Sequence, residues 1–395
     1  MKGIYFFIFI FLFKPCSADY WTQKADLPAQ GRDAAIAFVI GNYGFAGTGY
    51  GTFDDLWQYD PLLNNWAAKA VVPNQPRYGA VGAACLGMGY VGLGGFLGFK
   101  NDWWEYDPIS NAWTQKNNFP GSPREYASSF CIDSIVYVGC GLDSIGPQRD
   151  WWKYDIGSNS WGAIDSIPGF SQSGAFACVS FSILGKGYVI SGYFNGNKVF
   201  EYDPISHVWN SKNLFPGIGR YAATGFSIGN YGYIGTGDTG YQTPFVKDFW
   251  QYDPSTDLWY QKNDFSGLAR ASAIGFTIGT NGYLGFGVAG TLRLNDFWEY
   301  IPDSITSTSE ISYQQSEIIL FPNPTKGKLS FLLPFGGNMH LAVNQIEIYN
   351  LFGKQVLTVT GWGLTTVDCG LLPPGIYLLQ ATSGEKIWRT KVVKE

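Results

Sequence analysis

Five arginines recur eleven residues after a tryptophan and five aspartates four residues before a repeated tyrosine, and these are the groups with which the chain could do chemistry. Arg32, Arg77, Arg124, Arg220 and Arg270 each open a repeated unit, and Asp55, Asp102, Asp150, Asp248 and Asp296 each stand four residues before a tyrosine. A guanidinium and a carboxylate kept in step have two uses. As an ion pair they clamp a corner of each unit; unpaired at a mouth, the arginines would receive an anionic or hydroxylated ligand. One unit breaks the pattern at both positions, with Gln172 read in place of the arginine and Lys198 in place of the aspartate. Joint loss is what pairing predicts, because a partly buried charge without its partner is costly.

Other chemistry is scarce. The chain has two histidines, His207 at a turn position and His340 near the C-terminus. Copper chemistry wants a pair of imidazoles, and zinc wants histidine or cysteine clusters. A Ser-His-Asp set cannot be assembled from the repeats either. The expectation is therefore no catalytic residue, no metal and no cofactor, with paired-carboxylate chemistry as the remaining enzymatic route. Apart from Cys16, the cysteines are Cys85, Cys131, Cys140, Cys178 and Cys369. Their apolar settings predict buried hydrophobes, with one disulfide, Cys131–Cys140, as the alternative.

The elements that position these groups are legible from one repeated line. It reads LWQYDP at 56–61, WWEYDP at 103–108, WWKYDI at 151–156, VFEYDP at 199–204, FWQYDP at 249–254 and FWEYIP at 297–302. The tyrosines, at 59, 106, 154, 202, 252 and 300, set a period of 47 to 50 residues. Each unit carries four strand signals: a small apolar strand A, a glycine turn, a Gly-rich strand B, the tyrosine line as strand C, and a strand D with its own tryptophan. Such a unit at this period marks a β-propeller. Small residues opening strand A (Ala34, Gly79, Ala127, Gly174, Ala222, Ala271) suit inner strands crowded around an axis.

Trp66, Trp113, Trp161, Trp209 and Trp259 follow the tyrosines by seven residues, but no tryptophan follows Tyr300. Trp21 instead stands eleven residues before Arg32, the spacing at which Trp66 precedes Arg77. The N-terminus is thus expected to supply the missing strand D, which would close a six-bladed ring and remove a free sheet edge. Loops between strands B and C vary in length and carry Tyr50, Phe53, Phe96, Phe99, Tyr193, Phe194, Tyr241 and Phe245, with Lys100, Arg149 and Arg293 among them. Variable loops on a rigid scaffold are where binding resides. Tyr50, Phe96, Phe99, Tyr193 and Tyr241, with the five arginines, form the candidate ligand face.

Composition narrows the class. Of 395 residues 17% are aromatic and only 14% charged, with a net charge of −5, which suits an all-β exported protein and argues against nucleic acid. Residues 1–18 read as a signal peptide: Lys2, an apolar run at 4–13, and small residues Cys16 and Ala18 before the cleavage point. That run is too short to span a membrane.

The Arg opening each unit, the Gly pair ending strand B, the D-x-W-x-Y-D line and the N-x-W strand make residues 19–302 resemble the kelch-repeat family, which includes galactose-oxidase-like propellers. Beyond a Ser/Thr-rich linker at 303–316, residues 317–395 read as a small antiparallel sandwich. This tail resembles the type A C-terminal sorting domain of the bacterial type IX secretion system. The matching residues are Phe321-Pro322-Asn323-Pro324 with Gly327, Ile348-Tyr349-Asn350 with Gly353, Pro374-Gly375-Ile376-Tyr377 and Lys391-Val392-Val393. The resemblance implies Sec export to the periplasm, engagement of the type IX machinery, and a product at the cell surface or secreted. The expected function is a binding module for glycans or protein partners. The alternative is a carbohydrate-active enzyme of the galactose-oxidase-like or sialate-epimerase kind.

Overall fold

The computed structural model describes residues 19–169, 174–240, 245–303, 319–321, 325–332, 343–350, 354–361, 364, 366–383 and 386–395. The chain divides into two units, 1–306 and 307–395. The expected leader, and residues 304–316 of the expected linker, lie outside the described residues.

The described part of the first unit is all strand and turn, organised as repeated four-stranded antiparallel sheets, a build that fits a propeller. In the first sheet the strands Ile36–Ile40 (A), Tyr43–Gly47 (B), Leu56–Asp60 (C) and Asn65–Lys69 (D) pair in chain order. The four that follow begin with Val81–Cys85, Ser128–Ile132, Val179–Ile183 and Thr224–Ile228. The last sheet takes three strands from its own repeat, Ile274–Ile278, Asn281–Gly285 and Phe297–Ile301, and its fourth, Tyr20–Lys24, from the N-terminal end. Trp21 stands opposite Tyr300 there, as Trp66 stands opposite Tyr59 in the first sheet.

Alternation along strand A explains how the sheets stack. Ile36, Phe38 and Ile40 are buried while Ala37 and Val39 are partly open, so one face packs on a neighbour and the other lines a cavity shared with Ala84, Ser180, Ser227 and Thr277 of other A strands. In most sheets the phenylalanine of strand A lies over the next sheet's strand B at a glycine: Phe38 over Gly89, Phe130 over Gly187, Phe181 over Gly232, Phe226 over Gly282 and Phe276 over Gly44. A Cβ at any of these glycines would run into the ring. The exception keeps the volume constant. Ala83 takes the phenylalanine register in the second sheet, Val136 takes the glycine register in the third, and both sit in one core cluster.

A backbone hydrogen-bond circuit runs along the start of the A strands. Gly79 donates to the carbonyl of Ala34, Tyr126 to Gly79, Ala177 to Tyr126, Ala222 to Ala177, Ser272 to Ala222 and Ala34 back to Ser272. The residues at this register differ from those expected: Tyr126, Ala177 and Ser272 stand where Ala127, Gly174 and Ala271 were read. All six have positive φ, from 49° to 57°. Alanine and glycine tolerate that conformation better than a bulky tyrosine, which makes Tyr126 conspicuous.

One cysteine expectation is corrected. Cys85 and Cys131 form a disulfide, 46 residues apart, while Cys140 is free and buried. The reason is the repeat itself: a separation near one period places two residues side by side on neighbouring A strands. Cys131 and Cys140 share one repeat instead, with Cys140 just past the end of strand B. Closing a loop of this length contributes about 4 kcal/mol through the unfolded chain. Reduction, or Cys85→Ser with Cys131→Ser, is expected to lower the denaturation midpoint by a corresponding amount, readable by fluorescence in guanidinium with and without reductant.

In the second unit, Ile319–Phe321, Lys328–Leu332 and Thr366–Asp368 form one sheet. Gln355–Thr360, Gln345–Asn350, Gly375–Ser383 and Lys386–Lys394 form another, paired in that order. The two share a core of Leu329, Val367, Ile346, Ile348, Leu379 and Val392. Of the sorting residues, Gly327 lies in a turn where its N–H donates to the Thr325 hydroxyl, and Tyr377 donates to the Pro373 carbonyl. Gly375 and Lys391 lie on the last two strands. Pro322, Asn323, Pro324 and Gly353 lie outside the described residues.

Candidate functional site

The arginines and aspartates form ion pairs in which the guanidinium is buried and the carboxylate, except that of Asp102, is partly exposed. Arg32 pairs with Asp55, Arg77 with Asp102, Arg124 with Asp150, Arg220 with Asp248 and Arg270 with Asp296, and no guanidinium side chain is more than 1% exposed. Each also donates to the carbonyl that follows strand B, on Thr48, Leu93, Cys140, Thr236 or Phe286. The aspartate in turn accepts from the indole N–H two residues on, as Asp102 does from Trp104 at 2.8 Å. Burial pushes the Asp102 and Asp248 carboxyls up, but hydrogen bonds and charge from Arg77 and Arg220 overcome it and hold both below the usual range. Arg32 Nη2 and Arg77 Nε alone among these guanidinium nitrogens lack a partner among the described residues, and both are buried. The geometry is that of a clamp, in contrast to the expectation that these arginines form part of the ligand face.

The irregular repeat is corrected as well. Ala175, not Gln172, occupies the arginine register, because its carbonyl accepts from Gly141 as that of Arg77 accepts from Gly49. Gln172 lies outside the described residues. Three replacements occur together: Ala175 for arginine, Lys198 for aspartate and Phe200 for the indole donor. Asn195, buried on the following loop, donates to the Ser191 carbonyl at 2.7 Å and so satisfies the group that arginine bonds elsewhere. The arginine, aspartate and indole are exchanged as a set, so no charge of the ion pair is left without its partner, although Asn195 Oδ1 and Ser191 Oγ have no partner among the described residues.

With the arginines withdrawn, the surface beside them belongs to the residues that follow them in sequence. Asp33, Tyr78, Glu125, Phe176, Tyr221 and Ala271 share this register, and the backbones of Tyr78, Glu125, Phe176, Tyr221 and Ala271 bridge to Gly95, Leu142, Tyr193, Asp238 and Val288 just beyond strand B. In the first repeat the Tyr50 N–H donates to the Asp33 carbonyl. Their rings touch in a chain that crosses five sheets. Centroid distances are 5.0 Å for Tyr50–Tyr78, 6.3 Å for Tyr78–Tyr126 and for Tyr126–Phe176, and 4.9 Å for Phe176–Tyr193 and for Tyr193–Tyr221. Arg293 ties in the remaining sheet, lying 4.3 Å over the Tyr50 ring and pairing with Asp33.

Of the loop aromatics expected to bind, Tyr50 and Tyr193 belong to this belt and are exposed. Phe96 and Phe99 sit half-buried on the neighbouring hairpin, outside the chain of contacts. Phe53 lies under Arg32, 4.2 Å from its guanidinium, as packing. Tyr241 lies outside the described residues. Tyr78, Glu125, Tyr126, Phe176 and Tyr221 were not expected; the signal that could have found Tyr78, Glu125 and Tyr221 is their place immediately after an arginine.

Three carboxyls punctuate the belt. Asp33 is paired with Arg293, and Asp238 accepts from the Tyr221 hydroxyl at 2.8 Å. Burial, with this bond, pushes the Tyr221 hydroxyl up to about 12. Glu125 is different: it is only 8% exposed, and its Oε2 has no hydrogen-bond partner among the described residues. Burial pushes its carboxyl up, against a smaller opposing contribution from the Tyr78 hydroxyl. Burial and then the charges of Glu125 and Asp33 also raise Tyr126. Among the described residues, no group of three or more His, Cys, Asp or Glu side chains is placed to hold a metal, and no helix is long and apolar enough to cross a membrane.

Comparison with known proteins agrees with this division. The repeated four-stranded sheets fit a propeller, and a solved structure titled "Structure of YjhT" is similar to the chain with a TM-score of 0.61, covering 69% of this chain and 95% of its own. At 16% identity the likeness concerns fold alone. Residues 319–395 match the secretion system C-terminal sorting domain family. The tail is such a domain, and it indicates export by type IX secretion to the cell surface or beyond. No curated protein matches the chain.

Proposed function

We propose that the protein is a secreted or cell-surface binding module. A six-bladed kelch-type propeller, closed by the N-terminal strand, holds glycans or protein partners at its aromatic mouth. Sec export to the periplasm precedes delivery by the sorting tail. Closure is supported by the hydrogen-bond circuit that returns from Ser272 to Ala34 and by the pairing of Tyr20–Lys24 with Phe297–Ile301. The single observation that carries the binding reading is the belt from Tyr50 to Tyr221. Aromatic faces beside carboxyls suit C–H and hydroxyl surfaces of sugars and the side chains of extended peptides.

The test is a glycan and peptide array probed with the mature protein and with Tyr78→Ala and Tyr193→Ala. Saturable binding that falls about tenfold or more in both variants, with unchanged melting temperature, is expected. Equal binding by wild type and variants, or none, overturns it. A second reading, a carbohydrate-active enzyme, is favoured by Glu125, since a buried carboxyl raised above its usual range suits acid–base work. Sugar turnover lost in Glu125→Gln would establish it.

A further inference from the structure

We infer that the mouth selects ligands carrying a protonated amine, which docks against Glu125 between aromatic faces. The inference rests on the mouth being a binding site and names the chemistry it recognises. Glu125 is the anchor because it is nine-tenths buried, its Oε2 is unpartnered among the described residues, and Tyr78 and Tyr126 are its aromatic neighbours. A buried carboxyl in that state lacks one thing, a hydrogen-bonding countercharge.

The fold makes room for the carboxylate. Gly95 is the only glycine in a register that elsewhere carries Tyr50, Leu142, Tyr193, Asp238 and Val288. A Cβ at Gly95 would collide with Glu125 Oε2, so the glycine is what lets the carboxyl of the third repeat settle over the second. Three guanidiniums nearby are already engaged. Arg124, its sequence neighbour, is taken by Asp150; Arg77 is taken by Asp102; and Arg293 is taken by Asp33. An anionic ligand would find no free guanidinium in this belt. A cation finds an uncompensated acid and the negative faces of tyrosines, the combination that binds ammonium groups.

Two sources could present that ammonium, the lysine side chain of a peptide and an amino sugar, and matched probes separate them. The mature protein is titrated with N-acetyl-lysine methylamide and its Nε-acetylated form, and with glucosamine and N-acetylglucosamine, following tryptophan fluorescence. Whichever source is correct, its free amine is expected to bind about tenfold or more tighter than its acetylated form, an advantage that Glu125→Gln removes. Glu125→Gln is expected to fold normally, because it replaces a carboxyl whose Oε2 bonds nothing; Gly95→Ala, which displaces that carboxyl, is expected to give the same loss of preference. Free and acetylated forms binding equally to the wild type overturns the inference, whatever the variants do. If that happens while the Tyr78→Ala and Tyr193→Ala losses on the array persist, the mouth stands as a site and only its ammonium selectivity falls.

Discussion

Arg77→Ala is expected to destabilise the protein by about 3–5 kcal/mol, measured as a shift in the guanidinium unfolding midpoint. Arg77 is fully buried, and the side chain of its partner Asp102 is 6% exposed, the most covered of the five pairs. The guanidinium makes two bonds of 2.8 Å to the carboxylate, one of 3.1 Å to the Leu93 carbonyl and one of 2.8 Å to the Pro73 carbonyl. Truncation strands a carboxylate and two carbonyls in a place water reaches poorly. Removing the partners together, Arg77→Ala with Asp102→Asn and Trp104→Phe, should cost less than Arg77→Ala alone, because the fourth repeat already dispenses with all three groups. The pair also sets a pH dependence. Asp102 is held below its unfolded range, so its contribution is present above the unfolded pKa and disappears as pH falls through the lower folded value. The wild type should therefore lose stability in acid more steeply than Arg77→Ala. Equal acid profiles, with a small midpoint shift, would show that the pair is not a clamp.

Trp21→Ala is expected to cost about 3–5 kcal/mol as well, for reasons of packing. Trp21 is 8% exposed, and its ring lies 4.9–5.0 Å from Phe249, Phe265 and Tyr300, so it fills the contact between the fifth sheet and the last. Its indole N–H has no partner among the described residues, whereas Trp66 donates to the Ala25 carbonyl and Trp113 to that of Ala70. Trp21→Phe should accordingly be mild. Asp19 completes the attachment: its carboxylate accepts from the Tyr300 hydroxyl and the Asn263 N–H, both at 3.0 Å. Asn64 receives Tyr59 and Ala25 in the same way in the first sheet.

Legibility of the fold in the sequence followed the strength of each repeat. The tyrosine line and the tryptophan spacing pointed to the sheets and to the borrowed N-terminal strand, because every sheet must solve the same packing problem. Joint substitution in the fourth repeat pointed to ion pairing. Counting residues failed at Gln172, since a longer connection moves the register to Ala175. The disulfide was missed because Cys85 and Cys131 come together only through neighbouring A strands. Most of the mouth was missed for a related reason. Tyr78, Glu125 and Tyr221 follow arginines that stand out more as chemistry, and nothing local shows that the arginines turn inward and leave the surface to the next residue.

Pairing of Tyr20–Lys24 with Phe297–Ile301 is what the proposed closure around the mouth depends on, and amide hydrogen exchange on the mature protein tests it most directly. Backbone amides of Tyr20–Lys24 should be protected to the same degree as their partners in Phe297–Ile301, and Trp21→Ala should lower both together. Rapid exchange of Tyr20–Lys24 while Phe297–Ile301 remains protected would contradict that pairing, and with it the placement of the mouth.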